Sequence, residues 1–119
     1  MVSLRTSNQF SRDRRLIGRD NFLRIQRSRE GFKTENFIVR YESSQEATAR
    51  YGLTVSKRVG NAVARNRVKR CLREAIRLNS SKEKGVNVVF IAKSSAREAS
   101  FFVVEAEVRF ALSKLGLLS

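Results

Sequence analysis

One helix limits what this chain can fold into. On a helical wheel at about 100° per residue, Val68, Cys71, Leu72, Ala75 and Ile76 fall in one arc. Asn66, Arg67, Lys69, Arg70, Arg73 and Arg77 fall in the opposite one. The apolar arc needs a cover, and the cationic arc has to stay outside it. Asn61, just past the turn at Val59-Gly60, is a good N-cap and sets the start. From residue 57 to residue 77 there are eight Lys or Arg side chains and one acid, Glu74, a local charge of 8 − 1 = +7. That is half of the chain's net +14. Cations this close repel one another, and a surface of this kind is matched by a polyanion.

At 119 residues the chain has room for one domain with one real core. A hydrophobic content of 41% with eight Phe argues against a disordered basic tail. Nucleic acid is the favoured partner, and an anionic membrane surface the weaker one. Arg outnumbers Lys by 18 to 7, a bias that suits RNA because a guanidinium both forks phosphate and stacks on bases. The single cysteine, Cys71, lies in the apolar arc and reads as a small core residue. With no histidine, His-assisted catalysis and His-ligated metals are excluded. There is no apolar run of membrane-spanning length and no signal-peptide segment, so the expected location is cytoplasmic, with no membrane partner.

The chain then reads in order. Residues 1–15 form a basic flexible arm, and residues 16–119 a single α/β domain. Residues 19–28 carry Phe22 and Ile25 at helical spacing, and Glu30-Gly31 ends that helix. Residues 36–42 alternate as a strand, with Phe37, Val39 and Tyr41 on one face and Ile38 and Arg40 on the other. Residues 50–57 form the next strand, in which Gly52, Thr54 and Ser56 leave one face without bulk. Being close in sequence, these two strands are expected to pair as an antiparallel hairpin. After the long helix, residues 86–93 read as a strand buried on both faces, parallel to the one before the helix. Val104, Val108, Ala111, Leu112 and Leu115 mark a last helix over residues 100–115. The order α-β-β-α-β-α gives an α/β sandwich around a small mixed sheet.

Catalytic chemistry is poorly supplied. The only aspartates are Asp13 and Asp20, and the nine glutamates show no pairing suited to a two-metal site. No Gly-rich phosphate loop is present. The binding constellation is stronger: Arg65, Asn66, Arg67, Lys69, Arg70 and Arg73 span two helical turns, and Lys57 and Arg58 extend them. If about six of these reach phosphates, log affinity falls with log salt at a slope of roughly −4 to −5.

The segment GLTVSKRVGNAVARNRVKRCLREAIR, residues 52–77, resembles the signature of the bacterial ribonuclease P protein component, whose hallmark is an Arg-Asn-Arg helix. The resemblance extends more loosely to the Arg-rich arm, the FIV strand, the VVFIAK strand and the last helix. It implies a protein that pairs with a large catalytic RNA, the two together removing 5′ leaders from precursor tRNA. The RNA is expected to supply the active site and bind the Mg²⁺; the protein, monomeric alone, takes no small-molecule substrate. The implied fold is related to a ribosomal-protein domain and contains a left-handed β-α-β crossover. Lys57, Arg58, Asn61, Arg65, Asn66, Arg67, Lys69, Arg70 and Arg73 match the family's RNA-contacting pattern. Phe22, Gln26 and Arg40 fall at its leader-binding cleft, where Gln26 and Arg40 stand in place of the usual aromatics. Two other readings stay open: a ribosomal or assembly protein that only binds structured RNA, and a self-sufficient nuclease.

Overall fold

The apolar arc of the long helix is covered by a four-stranded sheet and a second helix. The computed structural model describes residue 15 and residues 18–80 and 84–119; the rest of the expected basic arm lies outside the described residues. In chain order the elements are α1 (Arg19–Gln26), β1 (Gly31–Lys33), β2 (Phe37–Ser43), β3 (Arg50–Thr54), α2 (Ala62–Asn79), β4 (Val86–Ala92) and α3 (Phe101–Leu115). A short 3₁₀ turn, Ser94–Glu98, precedes α3.

The sheet order is β1-β2-β4-β3. β4 runs antiparallel to β2 and parallel to β3, so β3-α2-β4 is the expected parallel unit. The expected hairpin of residues 36–42 with 50–57 does not form. β4 lies between those two strands, and β2 turns back instead on the short β1 that the sequence reading missed. Burial explains the choice. Val88, Val89 and Phe90 are all buried, and only a central strand hides both faces.

The two faces of the sheet differ. Phe37, Val39, Tyr51, Val88 and Phe90 meet Val68, Leu72 and Ile76 of α2 and Val104, Val108 and Leu112 of α3 in the main core. Phe37 and Phe90 pack edge to face at 6.4 Å. Fully burying a side chain such as Leu72 contributes about 1.5–3 kcal/mol. Cys71 is half-buried at the margin of this core. On the opposite face the main packing is smaller: Ile25 of α1 on Val89, flanked by Phe22 and Ile91.

Local chemistry fixes the helix ends. The Asn61 side chain accepts a hydrogen bond from the Ala64 N–H at 2.9 Å. Gly60, with φ of 153°, turns β3 into α2 where an added Cβ would meet Ala64 Cβ at 3.0 Å. Ser100 caps α3 by accepting from the Val103 N–H, and Gly116 ends it in the left-handed region.

Candidate nucleic-acid interface

Two features of the fold could receive a polyanion. The first is the outer side of α2. Asn66, Arg70 and Arg73 are exposed, as are Lys57, Arg58 and Asn61 at its N-terminal approach. Arg65, Arg67 and Lys69 are half-buried, so the wheel's clean division into inside and outside does not hold for them. Arg67 lies against the chain entering α3 and donates to the Ala99 carbonyl at 2.6 Å. Its other terminal nitrogen, and the Nε of Arg65, are shielded from solvent without an acceptor. Buried donors left unmatched cost free energy until an acceptor arrives. Arg77 is no free cation, because it forks Glu74 one turn back at 2.5 Å and is held above its ordinary pKa by that hydrogen bond.

The second feature is a groove on the α1 side of the sheet. Register places Ile38, Ile91 and Thr54 side by side across β2, β4 and β3. That row, with Gln26, Ser56, Arg58, Ala92, Lys93 and Ser94, bounds a concavity of about 500 Å³. A second concavity of about 430 Å³ continues along α1, walled by Arg19, Phe22, Leu23, Gln26, Leu53, Thr54, Val55 and Lys69. A third, of about 150 Å³, reaches Arg15, Tyr51, Gly52 and Arg73 beside Phe22. No Asp or Glu borders any of the three. The groove exists because β3 presents Gly52 and Thr54 there, and a bulky side chain at Thr54 would fill it. The same lack of bulk was visible in the sequence without revealing a groove.

The structure brings Phe22 and Gln26 together on this wall. The Thr54 hydroxyl donates to Gln26 Oε1 at 2.9 Å, which leaves the amide NH₂ to face a ligand. Arg40 sits apart from them. It belongs to the neighbouring row, Arg40–Val89–Gly52, where Ile25 seats α1, and it borders none of the three concavities. α1 is tied down by Arg24, which forks Glu42 of β2 at 3.0 and 2.5 Å. That hydrogen bonding holds the Glu42 carboxyl below its ordinary pKa, against the opposing effect of partial burial. The sequence reading passed over Lys93 and Arg19, since isolated cations at strand and helix ends look like ordinary surface.

The two acids of α3 are committed elsewhere. Glu107 on α3 accepts from the Asn36 backbone at 2.8 Å, from its side chain and from the Thr34 hydroxyl, pinning the β1–β2 turn. Glu105 accepts from Asn79 at 3.0 Å. Among the described residues no group of three His, Cys, Asp or Glu side chains is placed to hold a metal ion. No helix among them is long and apolar enough to cross a membrane.

Comparison with known proteins agrees with this arrangement. The Ribonuclease P family model matches residues 10–116. The ribonuclease P protein component of Geotalea uraniireducens is 36% identical over 106 residues, covering 89% of this chain and 94% of that protein. That of Desulforapulum autotrophicum is 40% identical over 112 residues, covering 92% and 91%. Among solved structures, the RNase P protein from Thermotoga maritima superposes with a TM-score of 0.74 at 27% identity, over 84% of this chain and 96% of that one. The Staphylococcus aureus RNase P protein has the same fold, with a TM-score of 0.76 at 23% identity over 89% and 98%. A match that spans nearly the whole described domain, with the Arg-Asn-Arg helix at its centre, means that this chain belongs to the ribonuclease P protein family.

Proposed function

We propose that this chain is the protein subunit of a ribonucleoprotein that removes the 5′ leader of precursor tRNA. In this reading α2 docks on the catalytic RNA, and the groove beside α1 receives the unpaired leader. The observation that carries it is the set of cations on α2 and its approach. Arg58, Arg70 and Arg73 are exposed with Asn66, Arg65, Arg67 and Lys69 are half-buried, and no acid stands in the sequence between Arg58 and Arg73. Lys57 and Asn61 complete the docking face at its N-terminal end. The set adjoins a groove whose wall carries Phe22 and Gln26.

The division of labour follows from the side chains. Guanidinium groups on a helix hold phosphates in register but have no group to attack or protonate one. In this reading, as the family resemblance implies, the RNA would hold the reacting centre and its Mg²⁺, and the metal would supply activation of water and stabilisation of the leaving oxygen there. This chain orients: α2 fixes the protein on the RNA, and Phe22 and Gln26 hold the leader by stacking and amide hydrogen bonding. Arg40, one row away, contributes a charge at the margin. The location follows the RNA partner and is cytoplasmic, and the free chain at low salt stays monomeric because copies of charge +14 repel.

Cleavage of precursor tRNA at low Mg²⁺ tests this, with protein alone, catalytic RNA alone and both together. Activity confined to the mixture is expected. Cleavage by the protein alone would contradict the reading, and equal cleavage with and without protein would favour an RNA-binding protein with no part in the reaction.

A further inference from the structure

The last helix carries more apolar surface than its core requires. Val104, Val108, Ala111, Leu112 and Leu115 already form its buried side. On the other side Phe102 is 79% exposed, Phe110 52% and Val103 41%, with Ala106 exposed between them. Residues 102, 106 and 110 recur every four positions and so form one stripe, with the two Phe about 12 Å apart along the axis. A helix with apolar residues on both sides is ordinarily covered on both, and no described residue buries the outer stripe.

The surroundings of the stripe identify what fits it. The exposed polar groups of α3 are Arg109, Ser113 and Lys114. Both acids of the helix point away from it, Glu105 to Asn79 and Glu107 to Asn36. The rings are held from beneath. Phe101 meets Phe102 at 6.2 Å, Phe32 and Phe110 pack edge to face at 6.2 Å, and Lys114 Nζ lies over the Phe32 and Phe110 rings at 5.1 and 5.5 Å from their centres. Supported aromatic rings bordered by Arg109 and Lys114, with both acids of the helix turned away, suit stacked bases with a phosphate backbone alongside. A second copy of this chain fits poorly, because it would bring another +14 to the same surface.

We infer that the Phe102–Phe110 face of α3 is a stacking platform for unpaired nucleotides of the catalytic RNA, continuous with α2. This rests on the proposed docking of α2 and extends it. α3 packs beside α2, where Arg109 donates to Asn79 of α2 at 2.7 Å. It lies across the sheet from the groove assigned to the leader, so the catalytic RNA and not the precursor is the strand within reach.

Binding of the full chain to its ribonuclease P RNA, titrated across salt, tests the inference. Stacking adds affinity without neutralising phosphate. Phe102→Ala and Phe110→Ala are therefore expected each to weaken binding about 5- to 150-fold at every salt concentration, with an unchanged salt slope. Phe102→Tyr, which keeps the ring, is expected to bind as wild type does. Arg70→Ala serves as the contrast and is expected to make the slope shallower. Unchanged affinity in both Phe variants, with the Arg70 effect intact, would overturn the platform and leave the α2 docking standing. Loss of the Arg70 effect would overturn the docking itself. Sedimentation showing concentration-dependent pairing that Phe102→Ala abolishes would assign the stripe to a second copy instead.

Discussion

The two faces of the sheet divide the work of the molecule. Beneath α2 and α3 the packing is continuous, and Val68, Leu72, Ala75 and Ile76 are wholly inaccessible to solvent. On the other face α1 spans eight residues and rests chiefly on Ile25 over Val89. The row beside it, Ile38–Ile91–Thr54, is only half-buried among the described residues, and that row is the floor of the groove. The first face holds α2 rigid, so the cations at its surface keep their spacing. The second gives up burial for an accessible slot. A binding surface that must present fixed charges needs a core behind it, and a slot for a strand needs one withheld.

The comparison can be broken most forcefully through stability. Leu72→Ala is expected to cost about 2–5 kcal/mol in urea unfolding, and Ile25→Ala to stay near the lower end because the site can collapse or flood. Equal costs would mean that the thin face is as structural as the thick one. Arg70→Ala and Arg73→Ala are exposed and are expected to leave the unfolding midpoint unchanged. Each should make the slope of log affinity against log salt shallower by about 1, measured by RNA titration. The smallest effect concerns the strap that seats α1. Glu42 titrates below its ordinary range because Arg24 hydrogen-bonds its charged form. Its stabilising contribution is therefore complete above the ordinary carboxylate range and lost as pH falls through the lowered value. Glu42→Gln should lower stability slightly at neutral pH, where that contribution is complete, and flatten the acid limb so that the two proteins converge at low pH.

Much of the first face was legible in the sequence. The period of Val68, Leu72, Ala75 and Ile76 and the capping residue Asn61 placed α2 within a residue, because burial on one side and a polar cap leave a repeating local pattern. The apolar run read at residues 86–93 identified β4 as central for the same reason. The second face was harder to read. Strand neighbours are chosen by long-range burial, so the nearness of β2 and β3 in sequence suggested a hairpin that β4's need for two partners prevents. The three-residue β1 is too short to leave an alternation. Arg40 was grouped with Phe22 and Gln26 through family resemblance, yet strand register sets it one row aside. Arg67 looked free on the wheel, since a wheel does not show that the chain before α3 crosses its path.

The claim that the open face reads the leader is tested most directly by binding of precursors with leaders of graded length. Wild type, Phe22→Ala and Arg40→Ala should be compared in the reconstituted complex. Phe22→Ala is expected to remove about 1–3 kcal/mol from the leader-dependent part of affinity and to leave binding of leaderless tRNA unchanged, with Arg40→Ala the weaker of the two. A leader dependence that survives Phe22→Ala intact would contradict the assignment of the groove.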